Sequence, residues 1–317
     1  MRSSFASATV LALVSRTLAA TYSLNQNYVG TDFLSAWTHQ AIADPTNGRV
    51  NYVDQATALS LNLTYANGDT LVMRADDTTV LSASGPGRNS VRIMSNAAFT
   101  HHVAVFDIRH MPQGCATWPA AWETAISNWP NGGEVDIVSV NDETPDSITL
   151  HTGAGCTMPA SGSTMLGTVT STDCNANDDG NAGCGVRAPS ENSYGPLFNT
   201  QGGGFYSMER TSDFIKVWFW SRSDGSVPSD LSTGASSVDT DNWGTPTALF
   251  PNTQCDIDEE FSENNIIINL TLCGDWAGQA AIFNGAGCPG DCVDYVNNNP
   301  SDFSNAYWDI AAVRVYV

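Results

Sequence analysis

Short runs that alternate apolar with polar residues, or stay apolar for a few positions, recur along this 317-residue chain, and sustained helical periodicity is scarce. The clearest runs are Thr70–Arg74, His102–Ile108, Glu134–Val140, Ser147–His151, Phe214–Ser221, Asn265–Leu272 and Trp308–Val317. Val313, Val315 and Val317 alternate with Arg314 and Tyr316, the period of a strand with one face in and one face out. Ile266–Ile268 is continuously apolar and predicts a strand buried on both faces. Turn-forming clusters such as Ser82–Gly87 and Thr200–Gly204 punctuate the runs. No linker, internal repeat or low-complexity tail divides the chain. The pattern predicts an all-β protein, an antiparallel β-sandwich forming one domain over residues 21–317.

Residues 1–20, MRSSFASATVLALVSRTLAA, join a basic start to a short apolar run and small residues. This reads as a secretory signal peptide, too short to span a membrane. No later segment approaches ~18 uninterrupted apolar residues, so no transmembrane helix is expected. Lys and Arg total 12 against 33 Asp and Glu, a formal net charge of −21. Such a chain repels nucleic acid and anionic membrane, which leaves a neutral or cationic partner. Eight cysteines behind an export signal predict disulfides and no free thiol. No CxxC pairs with another CxxC or with an HxxxH, so a zinc site is not expected. The expected pairing takes Cys174–Cys184 and Cys288–Cys292 as local clips, leaving Cys115–Cys156 and Cys255–Cys273. Asn62-Leu63-Thr64 and Asn269-Leu270-Thr271 are glycosylation sequons, the second inside an apolar run and therefore expected to be buried and unmodified.

Residues 129–143, WPNGGEVDIVSVNDE, hold the chemistry-bearing pattern. Glu134 and Asp136 sit two apart and share one face of a strand. Carboxylates side by side in an apolar run point to acid–base or nucleophilic work. A bulged strand turns positions i, i+2 and i+4 into i, i+2 and i+5, which can mount a nucleophile, a helper and an acid/base together. A retaining glycosidase needs two such carboxyls ~5–5.5 Å apart. Trp118, Trp122 and Trp129 crowd the preceding segment, and Trp276 sits in Cys273-Gly274-Asp275-Trp276. Flat aromatic faces suit the C–H faces of sugars, with Arg92 and Asn51 as polar partners for hydroxyls. A neutral glucan suits the acidic charge. The run Asp173–Gly180 resembles the start of a calcium loop, but counted from Asn175 the twelfth position holds Val186, so a polar turn is expected. His101 and His102 would face opposite sides of a strand, which argues against a shared metal.

The chain resembles the secreted fungal laminarinases of glycoside hydrolase family 16, endo-β-1,3(4)-glucanases, from about Thr21 to the end. The matching stretches include GRVNYVDQATAL, GPGRNSVRI, TWPAAWE, NWPNGGEVDI, LHTG, NIIINLT, CGDWAGQ and YWDIA. The resemblance implies a concanavalin-like jelly-roll β-sandwich of two antiparallel sheets with a concave substrate cleft, and a retaining double displacement. It implies Glu134 as nucleophile, Asp136 as helper and His151 as a histidine beside them. Trp118, Trp122, Arg92 and Trp276 would line sugar subsites. The implied partner is β-glucan, acted on by a secreted, extracellular monomer with no required cofactor. A structural calcium occurs in many members, though no metal ligands are identified here.

The chain departs from that pattern at one place. Where the family reads like EVDIIEGVND, this chain reads EVDIVSVND. The acid/base position holds Ser139 in the bulged register and Val138 in the unbulged one, and one residue is missing. Losing a residue from a bulge can restore simple alternation and turn every following side chain over. Three explanations stand: a variant that binds glucan but hydrolyses it poorly, an acid supplied by Glu143 or Asp142, or a sequence that omits a short piece of the natural protein.

Overall fold

The computed structural model describes residues 20–139 and 145–317. The expected signal peptide falls almost wholly outside them, as do Asp142 and Glu143. Two large antiparallel sheets pack face to face, as the strand pattern predicts. The first has eight strands in the order Thr168–Ser171, Cys184–Arg187, Ser147–His151, Glu134–Ser139, Thr117–Thr124, Asn264–Leu272, Arg92–Phe99 and Trp37–His39. The second has nine. Its main path runs Ser237–Asp239, Thr21–Tyr28, Tyr307–Tyr316, His102–His110, Gly204–Arg210, Phe214–Ser221 and Ala248–Pro251; Thr70–Arg74 branches off Tyr307–Tyr316 and pairs in turn with Thr64–Asn67. Among the described residues no helix is long and apolar enough to cross a membrane.

The core lies between the sheets. Val135, Ile137, Val138, Ile266, Ile268 and Ile93 enter it from one side and Phe106, Ile108, Val313 and Val315 from the other. Alternation places all but Val138 there, and burying such a side chain stabilises by roughly 1.5–3 kcal/mol. Ile266, Ile267 and Ile268 are all buried, as their continuous run predicts. The last strand is less simple than its period suggests. Tyr316 is buried too, because a second apolar cluster of Trp218, Trp220, Leu231, Val238 and Trp243 covers the outer face of its sheet. His101 and His102 do face opposite ways: His101 reaches Asp258 at the surface, whereas His102 Nε2 lies 3.0 Å from Glu123 in the interior.

Several strands carried no clear sequence signal. Thr117–Thr124 contains Pro119, which argues against a central strand. It is central nonetheless. It pairs with Asn264–Leu272 on one side, where Pro119 faces Leu270, and with Glu134–Ser139 on the other.

The disulfides are Cys115–Cys288, Cys156–Cys255, Cys174–Cys184 and Cys273–Cys292. The expected Cys174–Cys184 clip is present, and no cysteine is free. The expected Cys288–Cys292, Cys115–Cys156 and Cys255–Cys273 pairs are corrected. Cys115 and Cys273 lie at adjacent strand ends, where the Cys273 amide donates to the Ala116 carbonyl at 2.8 Å. Each ties one side of the helical excursion over residues 274–298 to the sheet, so Cys288 and Cys292 take separate partners. Of the two sequons, Asn62 is exposed, while Asn269 is buried and holds Trp122 and Tyr52. Non-reducing peptide mapping is expected to recover these four pairs; a Cys288–Cys292 peptide would refute the arrangement.

Candidate active site

The strand Glu134–Ser139 decides the site. Its start is fixed by Gly133, whose positive φ of 74° and closeness to Phe261 leave no room for a side chain. Thr124 Oγ1 and Asn264 Nδ2 both donate to the Gly133 carbonyl, at 2.9 and 3.1 Å. Glu134, Val135 and Asp136 then pair with Thr124, Glu123 and Trp122. The register breaks at Ile137, after which Val138 faces Ala121 and Ser139 faces Ala120. This is a β-bulge. Ile137 and Val138 both enter the core, and Ser139 returns to the face that carries Glu134 and Asp136. The restored alternation considered from sequence is therefore not what forms up to Ser139. Ser139 Oγ accepts from Trp118 Nε1 at 3.3 Å, on that open face. The Ser139 amide donates to the buried Asp146 at 3.3 Å.

Glu134, Asp136 and His151 each bring an oxygen or nitrogen within 4.8 Å of the others. Glu134 and His151 stand directly opposite on neighbouring strands. His151 Nε2 lies 3.3 Å from Asp136 Oδ2, and its Nδ1 lies 2.9 Å from Asn181 Oδ1. Both ring nitrogens face oxygen acceptors, the arrangement of an imidazolium rather than of a metal ligand. The Asp173–Gly180 loop holds itself: Asp173 and Asn175 side-chain oxygens accept the Asn175 and Asn177 amides.

Around the carboxylates, Trp129 Nε1 donates to Glu134 Oε2 at 2.9 Å while much of its ring stays exposed. Trp122 Nε1 donates to Asn269 at 2.7 Å, and the Arg92 guanidinium lies 5.0 Å over the Trp122 ring. Gln40 accepts from Arg92 Nε at 2.7 Å. Trp118 and Trp276 meet edge to face at 5.3 Å. Of the polar residues expected to meet sugars, Arg92 joins this wall. Asn51 lies on an outlying strand, Val50–Tyr52, and donates to Asn89, while its neighbour Tyr52 reaches Asn269. A hollow of about 540 Å³, lined by Gln40, Met94, Ile126, Asn128 and Asn265 among others, extends the face beyond Trp129. Sequence reasoning gave no role to Trp129 against Glu134, nor to Gln40, Asn181 and Asn269. Trp129 was in view as an aromatic neighbour; the other three carried no signal, because only folding brings them to the site.

The charges are mutually dependent. Burial and the Asp136 carboxylate push Glu134 up to about 8, opposed by His151, Trp129 and Arg92. Burial alone would lower His151, but the hydrogen bond and charge of Asp136 and the charge of Glu134 raise it to about 9. At neutral pH the site is an imidazolium beside a Glu134 carboxyl that burial and its neighbour Asp136 hold against ionisation.

The sequence profile of XgeA-like catalytic GH16 domains matches residues 37–316. The chain belongs to glycoside hydrolase family 16. A probable glycosidase of Schizosaccharomyces pombe is 45% identical, over 94% of this chain and 70% of its own length. The endo-1,3(4)-β-glucanase xgeA of Emericella nidulans is 38% identical over 94% of this chain, which spans only 48% of that relative. Laminarinase 16A of Phanerochaete chrysosporium, solved with 6-O-glucosyl-laminaritriose in donor and acceptor sites, superposes with a TM-score of 0.93 at 69% identity, covering 94% of this chain and all of that one. An elongating family 16 β-1,3-glucosyltransferase superposes with a TM-score of 0.86 at 37% identity, covering 93% of this chain and 100% of its own. The sandwich is thus the family 16 jelly roll.

The titrations predict a stability profile. Folding raises the proton affinity of both Glu134 and His151, so stability falls as pH rises. The His151 contribution is complete below 6.5 and lost through about 9, and that of Glu134 is complete below 4.5 and lost through about 8. The urea midpoint is expected to fall between pH 6 and pH 9, and the Glu134→Gln/His151→Gln double variant to flatten that slope. An equal slope in both proteins would contradict the assignment.

Proposed function

We propose that this chain binds β-1,3- and mixed β-1,3(4)-glucans across the Trp-lined face and attacks them through Glu134, with its general acid absent. The reading rests on one observation: the bulge at Ile137 turns Ser139, not a carboxyl, onto the face shared by Glu134 and Asp136. Family membership and the likeness to laminarinase 16A support the substrate class.

In the retaining reaction, the Glu134 carboxylate forms an ester bond to the anomeric carbon as the C1–O bond to the leaving sugar breaks. Asp136 beside Glu134 opposes its ionisation, and the charge of His151 offsets that effect. No metal or cofactor enters the step. The departing oxygen takes the bonding electrons and needs a proton, and a serine hydroxyl is too weak an acid to give one. General acid–base help contributes roughly 10²–10⁴-fold, or ~3–5 kcal/mol of barrier. Its loss favours a glucan-binding protein whose hydrolysis is residual.

Four disulfides suit an export route, and we propose a secreted monomer.

The unaltered chain is expected to bind laminarin by calorimetry yet release negligible reducing sugar, while turning over an aryl β-1,3-oligoglucoside whose leaving group needs no proton. Ser139→Glu alone should recover laminarin hydrolysis by at least 10²-fold, since the bulge already aims position 139 at the face. Glu134→Ala should abolish turnover in either background. Rapid hydrolysis of laminarin by the unaltered chain, lost in Glu143→Gln, would refute this reading and identify the acid as Glu143.

A further inference from the structure

The disulfide ring Cys174–Cys184 packs on His151. The Thr152 amide donates to the Cys174 carbonyl at 2.8 Å, and the Ala176 amide donates back to the Thr152 carbonyl at 3.0 Å. Gly183, at a φ of +65°, lies so close that a Cβ would stand 2.8 Å from His151 Cε1 and 2.5 Å from the Leu150 carbonyl. Ser171 Oγ donates to the Gly183 carbonyl on the other side. Between these anchors Asn181 adopts a φ of +65°, a left-handed conformation that asparagine tolerates better than most residues. Its amide donates to the Asp178 carbonyl at 3.0 Å, and its side-chain oxygen meets His151 Nδ1 at 2.9 Å.

From this geometry we infer that Asn181 is a positioning residue, which holds His151 as a doubly donating imidazolium aimed at Asp136, and that the Cys174–Cys184 ring is its mount. The chemistry follows from the two acceptors. Nε2 faces a carboxylate, which can only accept while ionised, so that nitrogen carries a proton. An amide oxygen on Nδ1 requires a proton there as well. With the Asn181 amide oxygen turned toward Nδ1, as it stands in the structure, the imidazolium is the form that satisfies both partners. The charged groups facing this ring are Asp136 and Glu134, both on the neighbouring strand; Asn181 is neutral. Without Asn181, Nδ1 can lose its proton in the working range. The charge on Asp136 is then unopposed, and Glu134 ionises less readily. The catalytic consequence rests on the role proposed above for Glu134; the protonation of His151 does not.

The test follows His151 by long-range ¹H–¹⁵N correlation of its ring, its signals being those missing from His151→Gln. Asn181→Gly removes the acceptor without strain at a left-handed position. Asn181→Asp keeps it. Loss of one charge-assisted hydrogen bond is expected to lower the proton affinity of His151 by about tenfold in Asn181→Gly, while Asn181→Asp leaves it equal or higher. In parallel, the rising limb of aryl glucoside turnover against pH should move to higher pH in Asn181→Gly only. An unchanged His151 titration in Asn181→Gly, with Cys174–Cys184 still closed by peptide mapping, overturns the inference. A shifted titration supports it even if the unaltered chain turns over no aryl glucoside, and that second result would remove the glycosidase reading alone.

Discussion

Ile137 and Val138 are consecutive, yet both enter the core, and everything on the open face depends on that break in alternation. An unbulged strand would send Val138 out beside Asp136 and turn Ser139 into the apolar layer. The burial of Val138 opposes this by roughly 1.5–3 kcal/mol. The register up to Ser139 is thus set from the core side. A residue lost further along leaves it intact, because the hydrophobic face, not the count of residues, determines where the strand lies. The same bulge that would aim a family acid at the glucan here aims a hydroxyl.

Charge compensation is the second constraint. Two carboxyl groups share a partly buried face, and their repulsion and desolvation oppose ionisation of Glu134. The structure offsets this with an imidazolium rather than a lysine or arginine. Arg92 lies near enough to favour an ionised Glu134 but is committed to Gln40 and the Trp122 face. Trp129 supplies one neutral hydrogen bond. These partners belong to separate elements, so the electrostatics of Glu134 depend on the sheet, the Trp129 turn and the disulfide ring together. Reading Glu134 as an isolated acid would miss why its carboxyl stays high.

The disulfides act at the margins of the site. Cys115–Cys288 and Cys273–Cys292 hold the segment that carries Trp276 against the strand ends, which lets Trp276 meet Trp118. Cys174–Cys184 closes the ring beside His151. Loops bear much of the substrate-facing surface here, and cross-links reduce the freedom they would otherwise have on a two-sheet scaffold.

Much was legible in the sequence because its cause is local. Strand periodicity gave the all-β class, and the run Phe214–Ser221 coincides with its strand. Glu134 and Asp136 share a face by spacing alone, and the absence of a family glutamate is visible by inspection. Other features depended on contacts between distant segments. Pro119 lies in a central strand because Asn264–Leu272 and Glu134–Ser139 pair with its strand on either side. Cys288 and Cys292 bond elsewhere because two strand ends lie side by side. Asn181 reaches His151 across 30 positions of sequence. The sequence by itself determined which chemistry the catalytic strand can carry, since side-chain identity and strand period are written residue by residue. Only the tertiary structure decided that Ser139, rather than Val138, stands at the place of the acid, because a bulge forms where core burial on one face outweighs regular pairing on the strand.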